Sequence, residues 1–341
     1  MTVFMLPIQS DGNKYIELLV RSLERQGLSV RAFNKKRIWR MKRGDSFHIH
    51  WPSYHYTGRN RWITGAKAAV FLSLLLILRA RGLRIVWTVH NVWPHRSGET
   101  RYDRRMRTWL CALCSHVIVM GPSVKDEVRH AFRVKERKIV CIPHGHYRDA
   151  YASAGLDVRE RHGIPADAYL FAFIGQVSPY KGIDQLLRSF GQIQDARTHL
   201  LIAGRPSADF DAAVLADAGD RVHLSLTFVQ DDELADYIRC ADAIVLPYKK
   251  ITTSGSAILA LSYATPVVAP DVGVLRDYLT PDTALLYDPS DDGGLASAMA
   301  EMRAQPSRYS DIRRYEEKLR ELDWTRVSAM MSGLYGKTES E

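Results

Sequence analysis

Cysteine is scarce. Four in 341 residues (Cys111, Cys114, Cys141 and Cys240) cannot build a disulfide scaffold, which points to a reducing compartment. Cys111 and Cys114 form a C-x-x-C inside the apolar run Trp109–Cys114, and no second ligand pair follows at metal spacing. Packing, not zinc or redox chemistry, is therefore expected of them. Long apolar runs are missing too. The longest, Ala68–Leu78, has eleven residues. At about 1.5 Å per residue it falls short of a bilayer core about 30 Å thick. Lys67, Arg79, Arg81 and Arg84 flank it, so it reads either as a core helix between two strands or as a helix half-sunk in an anionic leaflet. The apolar opening Met1–Pro7 ends within seven residues, so no signal peptide is expected. There is no solenoid-type repeat and no low-complexity tract.

Acidic residues are short in the front half. Residues 1–150 hold 28 Lys+Arg against 10 Asp+Glu, a net of +18, whereas residues 151–341 hold 19 against 28, a net of −9. Such asymmetry suggests two units with different partners, the basic one suited to an anionic bilayer. The basic residues are scattered over several elements without a recognised nucleic-acid motif, so nucleic acid is not expected as a partner.

What the chain does have is a repeated alternation of short apolar runs and amphipathic segments. Val3–Pro7, Ser46–Trp51, Ile85–Asn91, Val117–Met120 and Ile139–Pro143 read as strands with helices between them. The pattern restarts with Tyr169–Gly175, Leu200–Gly204, Val222–Val229, Ala243–Pro247, Pro266–Ala269 and Ala284–Tyr287. Alternation of this kind means parallel sheets covered on both faces. The expected fold is α/β, with two Rossmann-like doubly wound domains facing across a cleft. These are a first domain over 1–150, a second over 151–310, and C-terminal helices over 311–341.

Ligands in such sheets sit beyond the carboxyl ends of strands. In the second half, Phe173-Ile-Gly-Gln-Val-Ser-Pro-Tyr-Lys-Gly182 ends a strand in a glycine turn with a lysine before a helix. Lys250-Ile-Thr-Thr-Ser-Gly-Ser256 opens an apolar helix with small hydroxyl residues. Helix N-termini with free N–H groups accept phosphate oxygens, and two of them with one lysine suit the diphosphate of a nucleotide sugar. The donor-binding candidates are Gly175, Gln176, Lys181, Arg205, Thr252, Thr253, Ser254, Gly255 and Ser256. In the first half, Asp11 follows the first strand, and the histidines gather at strand ends. His50, Asn91, His95, His144 and His146 are candidates to line the acceptor site, and His90 is a candidate for catalysis. No histidine pair has zincin spacing, and Asp209-Phe-Asp211 reads better as a helix cap than as a metal-binding D-x-D. No metal and no cofactor are expected.

The segments Gly175–Gly182, Leu200–Pro206, Tyr237–Tyr248 and Ala264–Ala269 resemble, in order, the donor domain of GT-B glycosyltransferases over about 165–305. His48-Ile-His-Trp-Pro52, Thr88-Val-His-Asn-Val-Trp-Pro-His95 and Ile142-Pro-His-Gly-His-Tyr147 resemble a narrower group. It includes the bacterial GDP-mannose:glycolipid β-1,4-mannosyltransferases of exopolysaccharide assembly. The resemblance implies a GDP-mannose donor, a glycolipid or oligosaccharide acceptor, and a cytoplasmic enzyme, peripheral on the inner membrane face. Large retaining GT-B families carry two glutamates with seven residues between them before Gly-x-Pro-Val-Val. Here those positions are near Ile251 and at Leu259, the family glycine is Ala264, and the arginine ahead of Lys181 is Gln176. Loss of both carboxylates fits inversion to a β-linkage. For the base the reading places Asp11 first, then His90, then Asp103. A retaining transferase using another nucleotide sugar and a non-catalytic nucleotide-sugar-binding module remain the alternatives.

Overall fold

Among the described residues, twelve strands arrange into two six-stranded parallel sheets. A computed structural model describes residues 1–9, 13–94, 98–216, 218–249 and 251–336. The chain divides into two compact units, residues 1–145 with 322–341 and residues 146–321. The first join thus falls a few residues before position 150, and the end of the chain returns to the first unit.

Unit 1 contains β1 (Thr2–Leu6), β2 (Ser29–Ala32), β3 (Ser46–Ile49), β4 (Arg84–Thr88), β5 (His116–Val119) and β6 (Ile139–Cys141), in the order β2-β1-β3-β4-β5-β6. The three central strands β3, β4 and β5 are buried almost throughout, because helices cover both faces of a parallel sheet. The strand that sequence reading missed is β2. It is an edge strand in which only Val30 is buried, so it carries no apolar run. Helix Tyr15–Arg25 buries Tyr15, Ile16, Leu19, Ser22 and Leu23, one face at helical spacing. It packs on the last helix, Trp324–Tyr335, where the Ser22 hydroxyl donates to the Trp324 carbonyl at 2.8 Å and lies 2.8 Å from the Ser328 hydroxyl. The guanidinium of Arg84 donates to the Tyr335 carbonyl at 2.8 Å and ties that helix's end to β4.

The eleven-residue apolar run proves to be the middle of a 20-residue helix, Arg61–Ala80, capped by Asn60, whose side chain accepts from the Ile63 amide. Among the described residues this is the one helix long and apolar enough to cross a membrane. The sequence estimate fell short because Thr64, Gly65 and Ala66 extend the run without being strongly apolar. Only Ala68, Phe71, Leu75 and Leu78 are buried.

Unit 2 contains β7 (Tyr169–Ile174), β8 (Thr198–Ala203), β9 (Val222–Ser225), β10 (Ala243–Val245), β11 (Val267–Pro270) and β12 (Ala284–Tyr287), in the order β12-β11-β10-β7-β8-β9. Ala264, standing where the resemblance expects glycine, has φ 53°. A side chain in the left-handed region costs about 1–2 kcal/mol that glycine avoids. Ala264→Gly is expected to raise the melting temperature by about 1–3 °C. A scan showing no rise, or a fall, would mean the turn is held in that geometry by something other than steric tolerance.

Candidate donor and acceptor sites

In unit 2 the chain runs from β7 outward through β8 and β9, then returns to place β10 on the other side of β7. The switch point of the doubly wound sheet is thus at the carboxyl ends of β7 and β10. Gly175 ends β7 with φ 140° and Gly204 ends β8 with φ 145°. The backbones are pressed together there: a Cβ on Gly204 would lie 1.9 Å from the Gly175 carbonyl oxygen. A Cβ on Gly182, which has φ 72°, would lie 1.9 Å from the Pro247 carbonyl oxygen. Only glycine meets both demands at either place.

Helix Gly255–Ser262 starts on the end of β7, where the Ser256 hydroxyl donates to the Ile174 carbonyl at 3.4 Å. Ser254 is the N-cap, its hydroxyl accepting from the Ala257 amide at 3.1 Å. A helix start leaves its first amides without intrahelical partners, which frees those of Gly255 and Ser256 for an incoming anion. Thr252 and Thr253 are half-buried ahead of them. Tyr147 adds a group that sequence reading missed. Its hydroxyl lies 3.5 Å from where a Gly255 Cβ would stand, and its amide donates to the Ser262 hydroxyl at 2.9 Å.

Lys181 closes the short turn Pro179–Lys181 before Gly182. Its ammonium sits 3.9 Å from the centre of the Tyr248 ring and 5.4 Å from that of Tyr180. Burial works against this charge, but the Tyr248 and Tyr180 phenols outweigh it, and the Lys181 pKa lies above the ordinary lysine value. Among the described residues no carboxylate pairs with it, whereas nearby Lys249 is bound to Asp184 at 2.9 Å. Gln176 and Arg205 are exposed at the ends of β7 and β8. The expected donor residues therefore fall on the ends of three adjacent strands. Leu259, at the position of a retaining-family glutamate, is buried. Asp211 caps the turn Ala212–Leu215 by accepting from the Ala213 amide, as a helix start would, and Asp209 accepts from Ser207.

In unit 1 the switch point lies between β1 and β3. Asp11 and His95 fall outside the described residues. His50, His90 and His144 follow β3, β4 and β6 and converge on Tyr15, whose ring lies 6.1, 5.1 and 4.6 Å from theirs. His50 Nδ1 and His90 Nε2 are 3.0 Å apart, and His90 stacks on Trp51 at 4.4 Å. His144 Nδ1 donates to the Gly145 carbonyl at 2.7 Å. His48 lies further in, its Nε2 2.7 Å from the Thr88 hydroxyl and its Nδ1 2.7 Å from that of Tyr335.

All four imidazoles are buried, and desolvation keeps them neutral. It lowers His48 to about 3 and His144 to about 4. His50 and His90 are pushed well below the ordinary histidine value, by burial first and then by the neighbouring histidines. A general base works best with a pKa near the operating pH, so His90 is suited to orient a hydroxyl more than to take its proton. Asp103 is committed to the core, its carboxylate accepting from the hydroxyls of Tyr56 at 3.0 Å and Thr100 at 2.6 Å. Asn91 is half-buried, with its carbonyl receiving the buried Arg107 guanidinium at 2.5 Å. His146 belongs to unit 2, where its Nδ1 accepts from the Arg148 amide at 3.3 Å. The cysteines Cys111 and Cys114 are buried free thiols, the second pushed up to about 12 by burial.

Residues 168–305 match the family described as glycosyl transferases group 1, and residues 34–150 match glycosyltransferase family 4. The chain is 31% identical over 330 residues to a GDP-mannose:glycolipid 4-β-D-mannosyltransferase of Xanthomonas campestris pv. campestris, covering 94% of this chain and 87% of that one. A D-inositol 3-phosphate glycosyltransferase of Thermobispora bispora is 31% identical over 45% of this chain and 39% of its own. Among solved structures, a sucrose-phosphate synthase from Thermosynechococcus elongatus superposes with a TM-score of 0.74 at 19% identity, covering 98% and 95% of the two chains. Anabaena HepE, in complex with UDP and glucose, does so with a TM-score of 0.74 at 14% identity over 99% of each.

Proposed function

Since the chain belongs to the GT-B glycosyltransferases, we propose that it transfers mannose from GDP-mannose to a lipid-linked acceptor at the cytoplasmic membrane face, inverting the anomeric centre to give a β-linkage. The observation that carries this reading is the Lys181 ammonium, free of any carboxylate among the described residues, at the same sheet edge as the open amides of Gly255 and Ser256. A departing diphosphate develops negative charge, and these groups stand ready to meet it. Arg205 adds a second, exposed cation. The donor's identity and the acceptor's class draw support from the Xanthomonas relative's name.

Inversion is a single in-line displacement. The acceptor hydroxyl forms its bond to the anomeric carbon as the bond to the diphosphate breaks, and the hydroxyl proton passes to a base. We assign that base to Asp11, which follows β1 in the sequence. The neutral imidazoles of His50, His90 and His144 hold and orient acceptor hydroxyls. The buried Leu259, in place of a carboxylate, favours inversion over retention.

Thermal shifts with GDP-, UDP- and dTDP-sugars test the donor. A ligand at 100 times its Kd adds about 2.7 kcal/mol, so GDP-mannose is expected to give the largest shift. NMR of the product is expected to show a β-mannosyl linkage. An α-linked product would establish retention, and binding without turnover of any donor would reduce the chain to a binding module.

A further inference from the structure

Helix Arg61–Ala80 is apolar on two opposite sides. One side, through Phe71, Leu75 and Leu78, is buried in unit 1. The other carries Trp62, Ala66, Ala69, Val70, Leu76 and Ile77 at helical spacing, all exposed, with Trp62 at 75%, Val70 at 62% and Leu76 at 55%. This stripe spans about 22 Å. The helix interior holds a single charge, Lys67, whose ammonium is turned back onto the carbonyls of Tyr54 and Thr57 at 2.8 and 2.5 Å. A water-soluble surface does not normally leave such a stripe bare.

Its surroundings show what covers it. Between residues 35 and 84 there are 12 Lys+Arg and one acidic residue, Asp45. Arg61 lies at one end of the helix and Arg79 and Arg81 at the other. Arg81 donates to the carbonyls of Trp39 and Met41 at 3.3 and 2.8 Å, fixing the basic turn Lys35–Arg40 there. That turn presents Trp39, 76% exposed. An apolar stripe, cationic flanks and a tryptophan at each end match a bilayer with anionic headgroups. The helix is long enough to span, but its buried side is part of the unit 1 core, so it lies in the plane of the surface.

We infer that the outward side of helix Arg61–Ala80, with the basic turn Lys35–Arg40 at its end, is the docking surface of this chain for an anionic lipid bilayer. The helix connects β3 to the parallel strand β4, so it runs opposite to the strands. Trp62 and exposed Tyr54 therefore stand at the carboxyl edge of the sheet, the edge that carries His50 and His90. A lipid-linked acceptor held in the bilayer meets unit 1 at that edge. This last step rests on the transfer reading above; the docking surface does not.

The test is co-sedimentation of the full chain with vesicles of phosphatidylcholine alone or containing phosphatidylglycerol, without donor or acceptor. Wild type is expected to bind the anionic vesicles and to be quenched by brominated lipid. Trp62→Ser with Leu76→Gln and Ile77→Gln, all at exposed positions, is expected to lose at least about tenfold in partitioning. Lys35→Ser with Lys36→Ser and Arg37→Ser is expected to lose a comparable factor and most of the salt dependence. Unchanged binding by the apolar variant overturns the inference. So does a wild-type dimer that ignores vesicles and is dissociated by that variant, which would make the stripe a self-interface. Should the variant not fold, absence of brominated-lipid quenching in wild type overturns it equally. Failure here leaves the transfer reaction standing, and vesicle binding by an inactive enzyme leaves the docking surface standing.

Discussion

Lys181→Ala is expected to lower kcat/KM for sugar transfer by about 100- to 1000-fold, the usual effect of removing one preorganised group that stabilises developing charge. Most of the fall is expected in kcat, because the diphosphate carries more charge on leaving than while bonded to the sugar. The ammonium is already in position. It rests 3.9 Å above the Tyr248 ring, and no carboxylate among the described residues has to be displaced to release it. Lys181→Met keeps the packing on Tyr248 and separates charge from shape; it is expected to be as impaired as Lys181→Ala with an unchanged melting temperature. Lys181→Arg restores the charge in a larger planar group and is expected to recover only part of the rate. A fall of less than about threefold in Lys181→Met would remove this residue from the departure of the leaving group.

The geometry of the candidate donor side was legible in the sequence because its residues are forced by backbone geometry within short segments. A strand that ends at φ 140° or 145° demands Gly175 or Gly204, and the demand shows as a glycine after an apolar run. The cap at Ser254 likewise shows as a small hydroxyl before an apolar helix. The aromatic partners were not legible. Tyr248 is named in a motif, but that it lies beneath Lys181 follows from the Gly182 backbone pressing on Pro247, which no local pattern announces.

The histidine cluster proposed for the acceptor was legible in part. His50, His90 and His144 stand out because each follows a strand, but their surroundings come from elsewhere. Tyr15 reads as one more apolar residue on a helix. Tyr335 reaches His48 across 287 positions of sequence, and Trp324 lies 5.6 Å from Tyr15. The C-terminal helices read from sequence as one region. In the structure Ile312–Glu321 belongs to unit 2 and Trp324–Tyr335 to unit 1, a division set by which exposed face each helix covers.

Acidification is expected to destabilise unit 1 more than unit 2 between pH 6.5 and 5. A histidine whose pKa is lowered by folding binds no proton in the native state but binds one in the unfolded chain below about pH 6.5. The unfolded state then holds more protons, and stability falls as pH falls. The loss begins at the unfolded value and continues down to the native one, about 4 for His144 and about 3 for His48. At pH 5 each of these two costs about 2 kcal/mol, about 4 together, against the 5–15 kcal/mol of a typical domain. His50 and His90 act in the same direction. All seven tryptophans lie in unit 1, so their fluorescence reports that unit alone while circular dichroism reports both. Melts followed by fluorescence are expected to drop steeply from pH 7.5 to 5, and His48→Gln with His144→Gln is expected to flatten that slope even if it lowers the melting temperature throughout. The tyrosine and tryptophan walls around the cluster are what exclude water from it. A wild-type melting temperature unmoved across this range, or a double variant with the same slope, would show that the imidazoles are solvated in the native state and available to take a proton, which would restore His90 as a candidate base beside Asp11.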